Sequence, residues 1–528
     1  MRRPPSVAAV FIALLAVSFV LFLAGCHRGA TPARDTAAHP LVDISVAFWD
    51  LAAFGDDPVG RRIQEALGIR IHVLPMDWEN YQEQARLWAA TDSLPDILAT
   101  YTVEQDHERL FSWFEQGLLR PIPDEMIERR PRVRELFAAN EIDQVIRKTR
   151  GRHLFIPRPF SLKGYYRFDQ GRGVYYRRDW LEATGREQPP RTIEEFRAMV
   201  RAFTFDDPDG NGVADTWGVS CSSAPTTSFS WWGVVLDGWI REDGRWIPGF
   251  LSRRNAEALA FWGALYRDGV LDPRFAEDSV DQSIRKFAAG RHGVCFKNVD
   301  NYWLLKVARD GFGRTYLGTD DAAAALRRVD VLPPLSVSRD VAPVWPAITE
   351  SSGSEISTKV DDAKLERILD LFEWLGSPEA TRLLHYGIPG VDYTEGPDGP
   401  RPLATAMLAP ISQIVRTYPS ARIRSLLTWD ADYWIEDPYT PEGIKALGER
   451  LRGQFNPIVH RENWLVRLSA APPQGQDWPD VSHDFALMIL SGGRAAEEFR
   501  AWRLKLLEGG YAGVIERANL QAVSAGAR

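Results

Sequence analysis

An α/β fold built on a parallel sheet is predicted by the order of strands and helices near the start of the chain. Apolar residues alternate with polar or small residues at 44–48 and again at 69–73, a pattern typical of strands. Between these strands, Asp57 and Pro58 form an N-cap and N1 pair for a helix that stops at Gly68. A second helix over 79–90 leads to a third short strand at 97–98. This alternation indicates a parallel α/β sheet.

Elements further along the chain continue the alternation. A strand is predicted at 173–176 and is followed directly by a helix from Arg178. Thr192 and Glu195 have the spacing of a capping box, which opens a helix with its apolar residues on one face. The remaining predictions are a helix capped by Asn255, a strand at 293–296 and a helix from Ser377 to Gly387. The chain has 528 residues, enough for two or more domains.

The first 42 residues carry an export signal and a tether. Arg2 and Arg3 precede an apolar run over 7–23, which is the pattern of a secretory signal. The tetrapeptide at 23–26, Leu-Ala-Gly-Cys, resembles the lipobox of bacterial lipoproteins, in which the signal is cut before the cysteine and the cysteine is acylated. We therefore expect a signal peptide over 1–25, palmitate or another acyl chain on Cys26, and a tether over 26–42. A single membrane-spanning anchor is the alternative.

Charge and cysteine content exclude several classes of protein. The net charge is −8 and there is no basic block, which argues against a nucleic-acid partner. After Cys26 only Cys221 and Cys295 remain, which is neither a disulfide framework nor a metal-binding spacing. Both lie near the ends of predicted strands, so a bridge between them stays an open alternative. The 19 tryptophans are many for this length, and exposed aromatic faces are one way to hold sugars.

Four motifs, in order along the chain, resemble those of extracellular solute-binding proteins of the maltose- and oligosaccharide-binding type. They are Leu-Pro-Asp-Ile at 94–97, Gly-Val-Tyr-Tyr-Arg-Arg-Asp-Trp-Leu at 173–181, Phe-Ala-Ala-Gly-Arg-His-Gly at 287–293 and Tyr-Gly-Ile-Pro-Gly-Val-Asp-Tyr at 386–393. The chain departs from the third motif at Arg291, where the family has lysine, and at Val294 and Cys295, where it has methionine. The match is loose after about residue 401.

This resemblance implies a two-lobe periplasmic-binding-protein fold (type II), with the ligand bound in a cleft between two α/β lobes. The expected first lobe comprises 43–158 and a return over 346–400. The expected second lobe comprises 159–345, with 401–528 as its return and C-terminal helices. The implied protein is a monomeric substrate-binding lipoprotein of an ABC transporter, anchored in the cell envelope and facing the periplasm or cell exterior. It captures a carbohydrate, expected to be an oligosaccharide, and delivers it to membrane permease subunits.

A calcium-binding loop is a candidate at 207–215, which reads D-x-D-x-N-G-x-x-D. Calcium needs several converging oxygen ligands, and this spacing supplies them together with a glycine for the sharp turn. The predicted metal ligands are Asp207, Asp209, Asn211, the carbonyl of Val213, and Asp215. Gly218 stands where an EF-hand has its bidentate glutamate, so this is not an EF-hand. The resemblance implies a structural calcium site, whereas the alternative is a polar surface turn.

Ligand-binding residues are predicted just after the strands, because ligands of two-lobe α/β proteins lie outside the carboxyl ends of parallel strands. Aromatic rings cover the apolar faces of sugars, and polar side chains bind their hydroxyls. Trp231 and Trp232 either line the second lobe or belong to an apolar strand at 232–236. The predicted ligand-binding residues are Trp49, Asp50, Trp78, Tyr101, Asn298, Asp300, Trp303 and Trp345.

Two other functions compete with import. A secreted carbohydrate-active enzyme would need a pair of carboxylates in a cleft, and no such pair can be located. The segment 218–222 lacks the final glycine of a nucleophile elbow, and no H-E-x-x-H motif is present. We therefore expect the protein not to be an enzyme. A sensor or adhesin on the same fold stays open, since it would use the same cleft.

Overall fold

The computed structural model describes eleven stretches of the chain. They are residues 41–49, 51, 53–77, 80–100, 106–159, 172–338, 341–345, 350–397, 399–403 with 410–428, and 440–524. Cys26, Asp50, Trp78 and Tyr101, with the expected signal peptide, lie outside the described residues. Within the described part, no helix is both long and apolar enough to cross a membrane.

The strands of the described part are numbered in chain order. They are β1 (Val42–Ala47), β2 (Ile69–Leu74), β3 (Ile97–Thr100), β4 (Ile156–Pro159), β5 (Arg172–Arg177), β6 (Trp217–Val219), β7 (Trp239–Glu242), β8 (Arg245–Pro248), β9 (His292–Asn298), β10 (Val329–Val331), β11 (Glu350–Ile356), β12 (Tyr393–Gly396) and β13 (Gly399–Pro402).

The α-helices are numbered in the same way. They are α1 (Pro58–Leu67), α2 (Tyr81–Ala90), α3 (His107–Glu115), α4 (Asp124–Glu128), α5 (Pro131–Ala139), α6 (Glu141–Arg150), α7 (Arg178–Ala183), α8 (Ile193–Phe205), α9 (Asn255–Arg267), α10 (Val280–Ala288), α11 (Asn301–Leu305), α12 (Ala322–Leu326), α13 (Asp362–Leu375), α14 (Pro378–Tyr386), α15 (Pro410–Thr417), α16 (Glu442–Phe455), α17 (Trp464–Leu468), α18 (Val481–Leu490), α19 (Ala495–Leu506) and α20 (Ala512–Ser524).

The first lobe is built on a five-stranded sheet in the order β2-β1-β3-β11-β4. The strands β2, β1 and β3 are parallel, as predicted, whereas β11 runs antiparallel to both β3 and β4. Alternation along β1 divides its side chains between two cores. Ile44 and Val46 pack with α1 and α13 on one face, and Ala47 packs with α2 and α3 on the other.

The second lobe is built on a four-stranded sheet in the order β10-β5-β9-β6. Strand β5 is antiparallel to both β9 and β10, while β6 is parallel to β9. The two faces of this sheet carry separate cores. Val174 and Tyr176 pack into one of them, and Tyr175 and Cys295 into the other. The chain passes between the lobes after β4, between β10 and β11, and again between Leu427 and α16, so at least three crossings join them.

Local capping signals explain most helix starts. The capping box of Thr192 and Glu195 is present with both of its hydrogen bonds, as predicted. Asn255 is different from its prediction, because it is the first residue of α9 and not its cap. Its side-chain amide donates to the carbonyls of Gly249 and Phe250. The segment 232–236 is not a strand, since a 3₁₀ helix over Thr226–Trp232 buries both Trp231 and Trp232.

The part after residue 401 divides between the lobes, although the sequence analysis assigned all of it to the second lobe. Ile414 and Leu426 pack in the first-lobe core beside Val59 and Ile63 of α1. Helix α16 instead packs in a second-lobe core, and α18 and α19 pack with α9. The difference arises because an apolar helix face fits either lobe, and only the three-dimensional packing decides which one.

Candidate functional site

The two sheets turn the same kind of edge toward each other. In the first lobe β1, β2, β3 and β4 all end at one edge, because β11 is antiparallel to both of its neighbours. In the second lobe β9 and β10 end at the edge where β5 begins. The crossing from β4 to β5 joins these edges, so the cleft lies between them, as the strand-end rule requires.

Trp49 follows β1 at the first-lobe edge and is half-buried. Its ring centroid lies 5.3 Å from that of Tyr81. The guanidinium carbon of Arg158 lies 5.6 Å from the Trp49 ring centroid and 4.6 Å from that of Phe48. Contacts with Tyr81 and Arg158 fix the orientation of the indole, and its exposed part forms a rigid aromatic surface beside the cleft.

Buried ionisable groups lie beneath this first-lobe edge. Arg158 and Glu355 are both fully buried, on the neighbouring strands β4 and β11. Arg158 donates from Nη1 to Ser352 Oγ at 3.0 Å, and Thr100 donates from Oγ1 to Glu355 Oε1 at 3.3 Å. The sequence analysis missed Arg158 and Glu355. The sequence feature that could have indicated them is a charged residue inside a strand of otherwise apolar or small residues, next to a lobe crossing.

Asn298, Asp300 and Trp303 come together at the second-lobe edge, after β9. The Asp300 carboxylate accepts from the backbone N–H of Trp303 at 2.9 Å and so caps α11. The ammonium nitrogen of Lys297 lies 3.7 Å from the Trp303 ring centroid. The Asn298 carbonyl accepts from the Tyr175 hydroxyl at 2.7 Å. The cap therefore positions a half-buried indole that carries a cation on one face.

The Asp300 carboxyl titrates within reach of neutral pH. Burial raises the pKa of Asp300 to about 6, while the hydrogen bond from the Trp303 backbone and the nearby Lys297 ammonium act in the opposite direction. A cleft-edge carboxyl of this kind can both accept a hydrogen bond from a sugar hydroxyl and hold the helix that carries Trp303.

Trp345 lies within the second lobe and not on its surface. It is 4% exposed, and its ring centroid is 3.8 Å from that of Phe455. Its backbone N–H donates to the Ile458 carbonyl at 2.7 Å. It borders a recess of about 10 Å³ with Trp231 and several prolines, which is room for about one water molecule. In this arrangement Trp345 is a core residue.

A larger groove, which we call the rim groove, runs between the two lobes and was not predicted from the sequence. Its volume is about 500 Å³. The first lobe contributes one face of α6, and the second contributes β8 and the segment before and within α17. The lining residues are Glu141, Gln144, Val145, Lys148, Trp246, Arg461, Glu462, Asn463, Trp464 and Leu465. No motif marks them in the sequence, because the groove forms only when distant segments pack together.

The loop at 207–215 is folded by its own polar groups. The Asp207 carboxylate accepts from the backbone N–H groups of Asn211 and Gly212, and the Asn211 amide donates to Asp209 and Asp215. Arg291 forms an ion pair with Asp215. Asp207, Gly210 and Gly212 adopt left-handed backbone conformations, as a tight turn requires.

The loop at 207–215 brings the carboxylates of Asp207, Asp209 and Asp215 close together. Burial raises the pKa of Asp209, and the neighbouring Asp215 and Asp207 carboxylates add to the rise. Within the described residues, no group of three His, Cys, Asp or Glu side chains is arranged to hold a metal ion. The oxygen ligands suit a hard cation, but Arg291 already offsets part of the negative charge.

Cys221 and Cys295 are both free and buried. They lie in different cores, on opposite faces of the second sheet. Burial raises the pKa of both thiols well above the ordinary value. The disulfide that the sequence left open is therefore not formed.

Comparisons with known proteins agree with this architecture. Residues 56–308 match the family described as bacterial extracellular solute-binding protein. The polygalacturonan/rhamnogalacturonan-binding protein YtcQ of Bacillus subtilis (strain 168) is 23% identical over 402 residues, covering 74% of each chain. Lipoprotein LipO of the same organism is 32% identical over 107 residues, or 19% of this chain and 21% of LipO.

The alginate-binding protein AlgQ2, solved without calcium ion, has the same fold. Its TM-score is 0.67 at 14% sequence identity, with 91% of this chain and 98% of that chain covered. The predicted two-lobe fold and the predicted resemblance to solute-binding proteins are therefore confirmed. The chain is therefore similar to bacterial extracellular solute-binding proteins over residues 56–308, and it has the two-lobe fold of a binding protein of known structure.

Proposed function

We propose that this protein captures an oligosaccharide between its lobes and delivers it to an ABC importer. The supporting observation is that each cleft edge carries a half-buried tryptophan with a cation at its ring, Trp49 with Arg158 and Trp303 with Lys297. Indoles held in this way provide flat apolar faces for sugar rings. The ligands named for YtcQ and AlgQ2 are polysaccharides, which favours a carbohydrate.

Capture is coupled to closure of the cleft. A ligand that touches Trp49 and Trp303 together makes more contacts when the edges approach, and this difference shifts the population toward the closed form. Rotation of this kind is compatible with the packing, because each lobe has cores of its own, with Trp464 of α17 packing across into a first-lobe core.

A binding screen tests this proposal. Thermal unfolding is followed with oligogalacturonides, alginate oligomers, fructo-oligosaccharides and maltodextrins, and each hit is then titrated by calorimetry. A ligand that binds only the folded state raises the melting temperature. Binding of amino acids or peptides, with no carbohydrate in the panel bound, would refute the proposal. Chromatography of the incubated sugars also tests for cleavage products, which a binding protein does not make.

The cell envelope is the proposed location, with Cys26 as the lipid anchor. Support comes from the signal pattern at 1–25 and from the similarity to a protein named as a lipoprotein. Mass spectrometry of the membrane fraction should find an acylated N-terminal cysteine, and a Cys26→Ser variant should lose it. An import role further predicts that cells without the protein lose uptake of labelled ligand, whereas a sensor or adhesin would leave uptake unchanged.

We also propose that the loop at 207–215 binds a structural calcium ion. Asp207, Asp209 and Asp215 supply carboxylate oxygens within one tight turn. Burial and, to a smaller extent, the neighbouring carboxylates raise the pKa of Asp209, and a bound cation would offset the charge of these carboxylates. Calcium is the cation to test first, because it prefers oxygen ligands of this kind and because AlgQ2, which shares the fold, was solved specifically in a form without calcium ion. In this role the ion would stabilise the second lobe and would not touch the ligand.

A further inference from the structure

The rim groove is linked to the proposed ligand site through residues of the first lobe. The segment that forms its second-lobe wall continues to Ala470, whose carbonyl oxygen is 3.2 Å from Nε2 of His107. His107 begins α3, the helix that follows β3, so this segment runs along the edge of the first sheet where the cleft opens. Trp464 packs into the same first-lobe core as Tyr81, whose ring contacts Trp49. The groove and the proposed ligand site therefore both border the first-lobe core that contains Tyr81 and Trp464.

The second-lobe wall is held rigidly. Asn519 fixes the backbone of Trp246 by two hydrogen bonds, accepting from its N–H at 2.9 Å and donating to its carbonyl at 2.7 Å. The Glu462 carboxylate accepts from the backbone N–H of Trp239 and pairs with Arg467 at 3.0 Å. These contacts use the Glu462 carboxylate within the wall itself. They also fix the position of the half-buried Trp246 indole.

The chemistry of the groove suits a sugar unit. Arg241 lies over the Trp246 ring at 5.8 Å, and Trp246 itself lines the groove. Opposite it, Gln144 and Lys148 are exposed at i and i+4 on α6, so they share one helix face. An indole and these polar side chains match the apolar face and the hydroxyl rim of a pyranose. A volume of about 500 Å³ lies within the range of small-molecule sites.

We infer that the rim groove is a second carbohydrate subsite, which holds a sugar unit of a chain whose other units occupy the cleft. This inference rests on the proposed function, because it assumes that the cleft binds an oligosaccharide. Since its walls come from both lobes, an occupied groove also bridges them. Longer chains that reach the groove then bind more tightly than short ones, which fill only the cleft.

Calorimetric titration of chain-length series tests the inference. Oligogalacturonides and alginate oligomers of two, four and six units are titrated into the wild-type protein and into Trp246→Ala. The affinity of the wild type should increase with chain length. Trp246→Ala should bind the longer chains about tenfold more weakly than the wild type and should bind two units with wild-type affinity. Gln144→Ala, at an exposed helix position where the lost contact is one hydrogen bond to the Ala138 carbonyl, should reduce the same gain.

Phe205→Ala is the matched control, because Phe205 is 56% exposed and also lies beneath an arginine, Arg201, outside the groove. It should leave the length dependence unchanged. If the wild type binds both series without a gain from length, or if Trp246→Ala and Gln144→Ala keep the full gain, the groove is not a subsite although the proposed function stands. If neither series binds but another carbohydrate of the screen does, the groove does not serve acidic chains and the inference in this form is wrong. If no carbohydrate binds at all, the proposed function itself fails.

Discussion

Nε2 of His107 in the first lobe lies 3.2 Å from the carbonyl oxygen of Ala470, which follows α17 of the C-terminal part of the chain. A neutral imidazole with its proton on Nε2 donates this hydrogen bond. Burial lowers the pKa of His107 to about 4, and the Arg467 guanidinium adds to the fall. A contact that joins the lobes thus depends on an uncharged histidine.

Acid should weaken this contact. Between about pH 6.5 and 4 the unfolded chain binds the His107 proton and the folded protein does not, so the free energy of unfolding falls as the pH falls. The loss for this group reaches about 3 kcal/mol. His107→Gln keeps a side-chain N–H but does not titrate, so denaturant unfolding at a series of pH values should show less loss for the variant than for the wild type.

The comparison of His107→Gln with the wild type is not affected by the nearby Glu108, and it has a histidine control. Burial and the Asp106 carboxylate raise the pKa of Glu108 to about 7, which makes stability fall as the pH rises, but Glu108 is present in both proteins and cancels in the comparison. His483→Gln, at an exposed position on α18, should behave like the wild type. Equal acid sensitivity of wild type and His107→Gln would show that His107 does not control the contact.

Trp464 is predicted to couple the two lobes. It is 6% exposed and packs in a first-lobe core with Ile142 and Ile146, while Val466, two residues further along α17, packs with α20. Trp464→Ala should cost about 3–5 kcal/mol of stability. Because it also removes a link between the lobes, unfolding should separate into two transitions. Differential scanning calorimetry measures both effects.

Leu487→Ala, at a 51% exposed position, is the control and should unfold as the wild type does. If Trp464→Ala unfolds in a single transition at the wild-type temperature, α17 does not link the lobes.

Local patterns predicted the strand ends well and the long-range contacts poorly. The local patterns that predicted β1 and β9 placed Trp49 just after one strand and Asn298 at the end of the other, because each pattern lies within a few residues. Nothing local shows that Arg158 lies two strands from Thr100, or that Trp345 packs on Phe455. Those contacts depend on how segments far apart in sequence come together.

The free thiols give a direct chemical test of the second sheet. Since Cys221 and Cys295 lie on opposite faces and are buried, a protein produced without residues 1–26 should show two thiols after denaturation without reductant. In the folded protein neither should react quickly with iodoacetamide, because burial raises their pKa and hinders access. Fewer than two thiols in the denatured protein would contradict the separation of the cysteines.

Removal of calcium should destabilise the second lobe. If the loop at 207–215 holds the ion, chelation should lower the melting temperature, with a loss of about 3 kcal/mol where the ion had been present at a hundred times its dissociation constant. Asp209→Asn removes one carboxylate ligand and should make the protein less sensitive to chelator.

Asp243→Asn is the control, because Asp243 is an exposed carboxylate outside the loop that forms an ion pair with an arginine, Arg253. It should keep the wild-type response to chelator. A wild-type melting curve that is unchanged by chelation would instead favour the surface turn, with Arg291 as the positive charge that balances Asp215.

Trp303 and Trp345 should respond in opposite ways to truncation. Trp303 is half-buried at the cleft edge, so Trp303→Ala should cost about 1–3 kcal/mol of binding free energy and little stability. Trp345 is 4% exposed and packs on Phe455, so Trp345→Ala should cost about 3–5 kcal/mol of stability. Trp49→Ala should resemble Trp303→Ala. Calorimetric titration with the tightest carbohydrate of the screen and denaturant unfolding measure the two quantities.

The Lys297→Met variant tests whether an effect at Trp303 comes from the indole itself or from the charge of the Lys297 ammonium beside it. The ammonium of Lys297 covers one face of the indole, so Lys297→Met keeps the aliphatic part of that contact and removes its charge. Lys306→Met, an exposed change beside Tyr302 on the same part of the chain, is the control. If Trp303→Ala unfolds early while its folded fraction still binds with wild-type affinity, Trp303 belongs to the core and the second-lobe side of the cleft lies elsewhere.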